Sequence, residues 1–272
     1  MAVGTAEFDF VRTLIRERAG IVLDDGKEYL VDSRLNTLAK QEGMEDTDAL
    51  VGLLLEKKEE SLILKVVDAM TTNETSFFRE MHVFDGFRKV VIPEITRRNA
   101  ATKSFNMWCG AASSGQEPYT LAMCLHEARE LAGFKTTFVA SDISQEMLTR
   151  CREGVYSQLE VNRGLPAPML VKNFTRSGAD WIVKDHLRKL VEFKEVNLIG
   201  TWPLLPKLDV VFLRNVLIYF DIETKREIMR KIRERLRPGG YLFLGCAETT
   251  LNIDPTFERV TFERGCCYRV PE

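Results

Sequence analysis

The chain has 272 residues, enough for one large domain or two modest ones with a sizeable core. Hydrophobic residues make up 45%, charged residues 29%, and the net charge is −2, so no global basic field is available to hold a nucleic-acid backbone. No apolar run approaches the ~18 residues of a membrane span, and MAVGTAEFDF lacks the basic-then-apolar layout of a secretory signal.

The six cysteines (Cys109, Cys124, Cys151, Cys246, Cys266, Cys267) form no CxxC pair and no metal spacing with the three histidines. They are expected to be reduced, buried and inert, and no metal site is expected. Asn73 and Asn173 each open an N-x-[ST] match, but a chain with no visible route to a glycosylating compartment should not use them.

In chain order, Phe8, Val11, Leu14 and Ile15 recur at helical spacing, as do Leu30, Val31, Leu35 and Leu38. Asp46 or Thr47 can cap a third helix through Leu55, and Ser61–Met70 supplies a fourth. The first 72 residues therefore read as a small helical domain. Arg12, Arg16, Arg18, Lys27, Arg34 and Lys40 give it a basic tendency, for which a solvated helical face is the plain explanation.

TTNETSFFRE, residues 71–80, fits neither a helix core nor a simple linker. Thr71-x-x-Glu74 matches a capping box, which leaves a helix start open as an explanation. Residues 73–100 are set apart as a linker and covering segment.

Beyond residue 100 the period changes. Strands are expected at Ser104–Cys109, Lys135–Ala140, Leu208–Leu213 and Tyr241–Gly245, with helices at Gln116–Leu131, Ile143–Gly154 and Ile222–Leu236. Phe257–Phe262 and Cys266–Val270 read as a closing hairpin. Alternating strands and helices imply a parallel sheet covered on both faces, with ligands bound at the carboxyl ends of its strands. The interval of about 159–196 breaks the alternation and reads as a small antiparallel insertion inside a 101–272 domain.

Gly110–Gly115 lets backbone approach a ligand closely but is not GxGxxG, so a pyrophosphate cradle and a nicotinamide-dependent oxidoreductase fit poorly. Asp142 ends the next strand, where a carboxylate can take two ribose hydroxyls. This succession implies an adenosine-type ligand with little phosphate demand. Arg214 and Asn215 end the strand after the insertion, either as an ion pair holding the sheet edge or as a wall of the site, with Tyr219 on the loop that follows. His82 and His126 are read as structural.

NETSFFRE, CGAASSGQEPYTLA, ASDIS, VNL and LRNVLIYFD together resemble the CheR-type chemotaxis protein methyltransferases, over essentially the whole chain. The resemblance implies an α/β, Rossmann-like class I S-adenosylmethionine-dependent methyltransferase domain. Its sheet is mostly parallel with a C-terminal antiparallel hairpin, carries an inserted β-subdomain and is preceded by a small all-α domain. It also implies methylation of chemoreceptor glutamates by a cytoplasmic bacterial signal-transduction enzyme, a protein-glutamate O-methyltransferase, with S-adenosyl-L-homocysteine as product.

The matching positions are Asn73, Thr75, Arg79, Glu117, Asp142, Asn197, Leu198, Arg214 and Asn215 for the cofactor, with Arg79 and Tyr219 nearest the transferring methyl. The implied partners are the cytoplasmic domains of chemoreceptors, met by a monomer that neither binds nucleic acid nor inserts into membranes. Some members grip the receptor C-terminal tail peptide on the β-subdomain. The hairpin around Thr175–Trp181 is tight here and lacks their longer glycine-rich loop, so a tail peptide is not counted among the expected partners. The alternatives are a methyltransferase or cofactor sensor acting on another protein. A sensor would keep Asp142 and Glu117 but have no need of Arg79 and Tyr219.

Overall fold

A computed structural model describes residues 4–57 and 59–272; Met1–Val3 and Lys58, which fall within the expected helical domain, lie outside the described residues. Contacts divide the chain into two units, residues 1–72 with 219–224, and residues 73–218 with 225–272.

The first unit contains α1 (Thr5–Ala19), α2 (Glu28–Gln41), α3 (Thr47–Lys57) and α4 (Glu60–Met70). Their apolar stripes bury Phe8, Val11 and Ile15, then Val31 and Leu35, then Leu50 and Leu54, then Val66 and Met70. Short helices of this length draw stability from that shared burial more than from propensity. Residues 219–224 join this unit. Val22 N–H donates to the Tyr219 carbonyl at 2.9 Å, Ile21 bridges Phe220, and Arg16 pairs with Asp221 at 2.8 Å.

The basic tendency is smaller than the sequence implies. Arg12 pairs with Asp9 and Asp25, and Arg18 pairs with Glu60. Arg34 turns to backbone, donating to the Met70 and Thr71 carbonyls at 2.7 and 2.9 Å and to the Thr72 hydroxyl at 3.0 Å.

The second unit is an α/β layer structure. Its strands are β1 (Ser104–Gly110), β2 (Lys135–Asp142), β3 (Val155–Ser157), β4 (Phe174–Ser177), β5 (Asp180–Val183), β6 (Glu192–Glu195), β7 (Leu208–Leu213), β8 (Leu236–Phe243), β9 (Glu258–Phe262) and β10 (Gly265–Arg269). The seven-stranded sheet has the order β6-β2-β1-β7-β8-β10-β9. Its first five members are parallel, and β10 and β9 are antiparallel. β7 is buried along its whole length and β1 from Phe105 on, as strands covered on both faces must be.

The chain leaves β1 toward β2 on one side and reaches β7 on the other, so the strand order reverses at β1, where this class of fold forms its crevice. α7 (Gln116–Glu127), α8 (Gln145–Glu153) and α12 (Ile222–Arg235) are the connecting helices that match the expected runs.

Residues 73–100 do not form a free linker. α5 (Met81–Gly86), a π-helical turn at Phe87–Val91 and α6 (Ile92–Arg98) make one continuous helix. Phe84, Phe87, Ile92 and Ile95 of that helix sit in the same core as Phe105, Phe212 and Phe243. The wide turn precedes Pro93, whose missing N–H and ring would otherwise break the helical ladder. Phe212 and Phe243 stack at 4.3 Å, and Phe87 meets both edge-on. Aromatic pairs of this kind add about 0.5–1.5 kcal/mol each beyond their buried area.

The insertion also has different bounds. β3, β5 and β4 form a separate antiparallel sheet that begins at Val155 and ends at Val183. The run KLVEFKEV, assigned to the insertion, instead supplies β6, paired in parallel with β2. Cys246 departs from the expectation too, being exposed where Cys109, Cys124, Cys151 and Cys267 are buried. No helix among the described residues is long and apolar enough to cross a membrane, and no group of three or more His, Cys, Asp or Glu among them could hold a metal ion.

Candidate functional site

Strand register builds the site. Gly110 at the end of β1 pairs with Ser141 of β2 and with Leu213 of β7. Ala111, Asp142 and Arg214 are therefore the next residues out at the carboxyl edge.

The loop after β1 is held in an unusual backbone. Ala111 and Ser113 have φ of 53° and 50°, and Gly115 has φ of 97°. The first two are left-handed without being glycine, a strain of about 1–3 kcal/mol each that the surroundings must hold in place. They do so from several sides. Ser113 N–H donates to Asp142 Oδ2 at 2.7 Å, the Ser113 hydroxyl donates to the Asn73 carbonyl at 2.7 Å, and the Tyr156 hydroxyl donates to the Ser114 carbonyl at 2.8 Å.

Asp142 is buried at 6% exposure, and its Oδ1 accepts Ser144 N–H at 3.0 Å. Burial pushes its pKa up, against the opposing pull of the backbone N–H groups of Ser144, Ser113 and Ile143. A carboxylate has about four lone-pair sites, so with these N–H groups engaged room remains for a ligand hydroxyl. The carbonyl of Asp142 also receives Val196 N–H at 3.0 Å, which brings Asn197 and Leu198 to the same edge. There Lys231 Nζ donates to the Ile199 and Gly200 carbonyls at 3.0 and 2.9 Å, and its ammonium stands 5.6 Å from the centre of the Trp202 ring.

Arg214 is the hub on the β7 side. One guanidinium nitrogen bonds the Glu117 carboxylate, and the other donates to Glu80 Oε2 and to the Arg79 carbonyl, both at 2.8 Å. The guanidinium also lies 5.4 Å from the centre of the Phe84 ring. Burial alone would lower its pKa, but Glu117 and Glu80 outweigh burial and the net shift is upward. The ion-pair reading of Arg214 is thus realised inside the site itself. Its Nε is buried with no protein acceptor.

Residues 71–76 carry no regular structure, 77–80 form a turn with Phe78 and Glu80 at φ of 49° and 61°, and no helix starts at Thr71; the next begins at Met81. Phe77 is fully buried, and Phe78 N–H donates to the Thr120 hydroxyl at 3.1 Å. Arg79 is half-buried and donates to the Glu74 carbonyl at 3.0 Å, while Asn73 and Thr75 are half-buried beside it.

The structure therefore brings Asn73, Arg79, Glu117, Asp142, Asn197, Leu198 and Arg214 into one connected hydrogen-bond and chain network, with Thr75 and Asn215 adjacent in sequence. Tyr219 is different. It lies in a 3-10 turn, Leu217–Tyr219, and groups with the helical unit. There it is close enough to Arg34 to raise that guanidinium's pKa against the larger lowering by burial. His82 lies 3.5 Å from Cys246 Sγ, and Cys246 N–H donates to Glu80 Oε2 at 3.1 Å, so His82 borders the network; His126 meets His186 at 4.5 Å, away from it.

Sequence reasoning named Ser113 only as part of the close-approach loop and missed Glu80 and Glu248. Glu80 stands in the quoted SFFRE motif, where its acidity beside Arg79 was the available signal. Glu248 is one acid in a polar loop, CAETT, and gave none.

An adenosine-type ligand fits this edge. A close backbone loop, a buried carboxylate and a buried Arg214 Nε with no protein acceptor offer donors and acceptors of the kind its sugar and polar groups need.

Residues 73–266 match the family model "CheR methyltransferase, SAM binding domain", and residues 6–71 match "CheR methyltransferase, all-alpha domain". The chain is 39% identical over 274 residues to chemotaxis protein methyltransferase Cher2 of Pseudomonas putida, covering 99% of each chain. It is 40% identical over 274 residues to chemotaxis protein methyltransferase 1 of Pseudomonas aeruginosa, again covering 99% of each. The Escherichia coli chemotaxis protein methyltransferase is 33% identical over 262 residues, 94% of this chain and 89% of that one. With both of its units matched along nearly their whole length, the chain belongs to the CheR methyltransferase family, and its α/β unit is an S-adenosylmethionine-binding methyltransferase domain of the class I fold.

Proposed function

We propose that this protein methylates glutamate side chains of chemoreceptors, forming glutamate methyl esters, as a cytoplasmic protein-glutamate O-methyltransferase. The observation that supports it best is the whole-chain match to chemotaxis protein methyltransferases, joined to a strand edge where the expected cofactor residues converge.

In this reading Asp142 takes the ribose hydroxyls and Asn197-Leu198 flank the adenine. Asn73, Thr75, Arg79, Glu117, Arg214 and Asn215 enclose the remainder. Arg214 contributes mainly by fixing Glu117, Glu80 and the Arg79 backbone, because its terminal nitrogens are already engaged. Bound S-adenosylmethionine supplies an electrophilic methyl group on a sulfonium. A receptor glutamate, with an ordinary pKa of ~4.3, is already ionised at neutral pH, so the chain needs no general base. What remains for the protein is positioning and exclusion of water, and alignment of two reactants can be worth about 7–11 kcal/mol. Arg79 is assigned the orienting of a carboxylate through its fork of donors, and Tyr219 the same task through its hydroxyl. A full ion pair between Arg79 and the attacking oxygen would weaken the nucleophile, so Arg79 is assigned to the cofactor carboxylate or the non-attacking oxygen.

The test is transfer from radiolabelled S-adenosylmethionine to cytoplasmic receptor fragments. The label should enter as a base-labile carboxyl ester, and Arg79→Ala and Tyr219→Phe should each slow turnover while leaving the fold intact. Base-stable label, or wild-type rates in both variants, overturns the assignment.

A further inference from the structure

Glu248 sits beyond β8, and its carboxylate gathers four backbone amides, among them that of Asn215, an expected cofactor position. Oε2 accepts Gly245 N–H at 2.7 Å and Asn215 N–H at 2.8 Å, and Oε1 accepts Val216 N–H at 2.9 Å and Leu217 N–H at 2.7 Å. Three successive N–H groups turned to one point form a backbone concavity for an anion, and here a side chain fills it. The concavity exists only because Asn215 adopts a left-handed backbone with φ of 56°. A non-glycine residue in that conformation must be held by its surroundings.

We infer that Glu248 is the positioning residue of the site's β7 wall, fixing the backbone of Asn215–Leu217 so that Asn215 keeps the geometry used for S-adenosylmethionine. The inference rests on the reading of Asn215 as a cofactor position. Arg214, the preceding residue, is tied instead to Glu80 and Glu117, and Cys246 N–H donates to the same Glu80 Oε2 at 3.1 Å, so the 245–248 turn borders that hub. Two carboxylate oxygens are required. A glutamine offers a single acceptor oxygen and would strand one pair of the amides, while an aspartate keeps both oxygens on a stem shorter by one methylene.

The experiment is calorimetric titration of S-adenosylhomocysteine into the full chain, reading affinity and stoichiometry separately, with steady-state kinetics alongside. Glu248→Gln is expected to weaken affinity by about tenfold or more at unchanged stoichiometry, and Glu248→Asp to recover part of it. Asp254→Asn is the comparison for plain loss of stability. It removes a loop carboxylate bonded to Thr256 and Arg233, and should lower the active fraction or the melting temperature without changing affinity. Asn215→Ala separates the two readings. If Asn215→Ala weakens binding and Glu248→Gln does not, the positioning role is wrong and the site stands. If neither changes affinity, the cofactor assignment of this wall falls with it. A Glu248→Gln protein that shows only reduced stoichiometry, like Asp254→Asn, also overturns the positioning role.

Discussion

Asp142 illustrates how one residue carries a property its sequence position only hints at. Being the acid at the end of a strand was enough to nominate it for ribose hydroxyls. Its raised pKa comes from burial, which no local pattern reveals. The sign of its pH effect follows. Protonation removes an acceptor and the charge that ligand hydroxyls bind, and because the folded pKa lies above the ordinary ~3.9, that loss begins at a higher pH than for an exposed aspartate. Affinity for S-adenosylhomocysteine should be flat near neutrality and fall as pH drops through the raised pKa. Asp142→Ala should cost about 1.5–3 kcal/mol at pH 7 and abolish that acid limb; calorimetry across pH checks both. Lys231 went unremarked in the sequence because it is one of many basic residues on a charged helix. The fold turns it onto the carbonyls that end the Asn197–Gly200 loop. Lys231→Met keeps the stem but loses those bonds, and should weaken the same affinity several-fold with the circular dichroism unchanged.

At the scale of elements, the 71–80 segment gains its meaning from the inserted sheet. Phe77 packs edge-on against Tyr156 of β3 at 5.0 Å and Phe174 of β4 at 5.6 Å. Gly164, with φ of 91°, lies so close that a Cβ there would fall 2.1 Å from the Phe77 carbonyl oxygen. Arg163 pairs with Glu74 beside it. The insertion thus clamps the stretch that carries Asn73, Thr75 and Arg79. Gly164→Ala must displace the backbone at Phe77, and it should raise the KM for S-adenosylmethionine more than it lowers kcat. An unchanged KM in a folded variant would remove the clamp from the account. The existence of the insertion was legible from its turn residues and broken alternation. Its C-terminal edge was not, because EFKE alternates equally well for an antiparallel hairpin or a half-exposed edge strand. Only the pairing of Glu192–Glu195 with Val139–Asp142 of β2, far away in the chain, decides between them. A helix after the 71–80 segment was legible in the sequence, but only the burial of Phe84, Phe87 and Ile95 shows it to be an element of the core.

At the scale of the molecule, long-range polar ties complement the aromatic core. Asp209 on β7 is fully buried and accepts Asn106 N–H at 2.8 Å and Asn99 Nδ2 at 2.9 Å, with Arg98 and Arg237 both at 3.6 Å. Asp209→Ala strips Asn106 N–H of its acceptor and Asn99 Nδ2 of one of its two, and should destabilise the α/β unit by about 2–4 kcal/mol. Urea unfolding measures that, with cofactor affinity of the folded fraction unchanged. The amino-acid sequence by itself determined the helical first unit, the alternating strands and helices, the adenosine-type site at the strand ends and the family, because each rests on local periodicity or on contiguous motifs. The tertiary structure alone decided that Arg214 spends its charge on Glu80 and Glu117, that Glu248 holds the backbone of Asn215–Leu217, and that Tyr219 groups with the helical unit through Val22 and Arg34. Those relations join residues far apart in the chain. They depend on strand register, burial and a few left-handed backbone angles, none of which is written in the spacing of neighbouring residues.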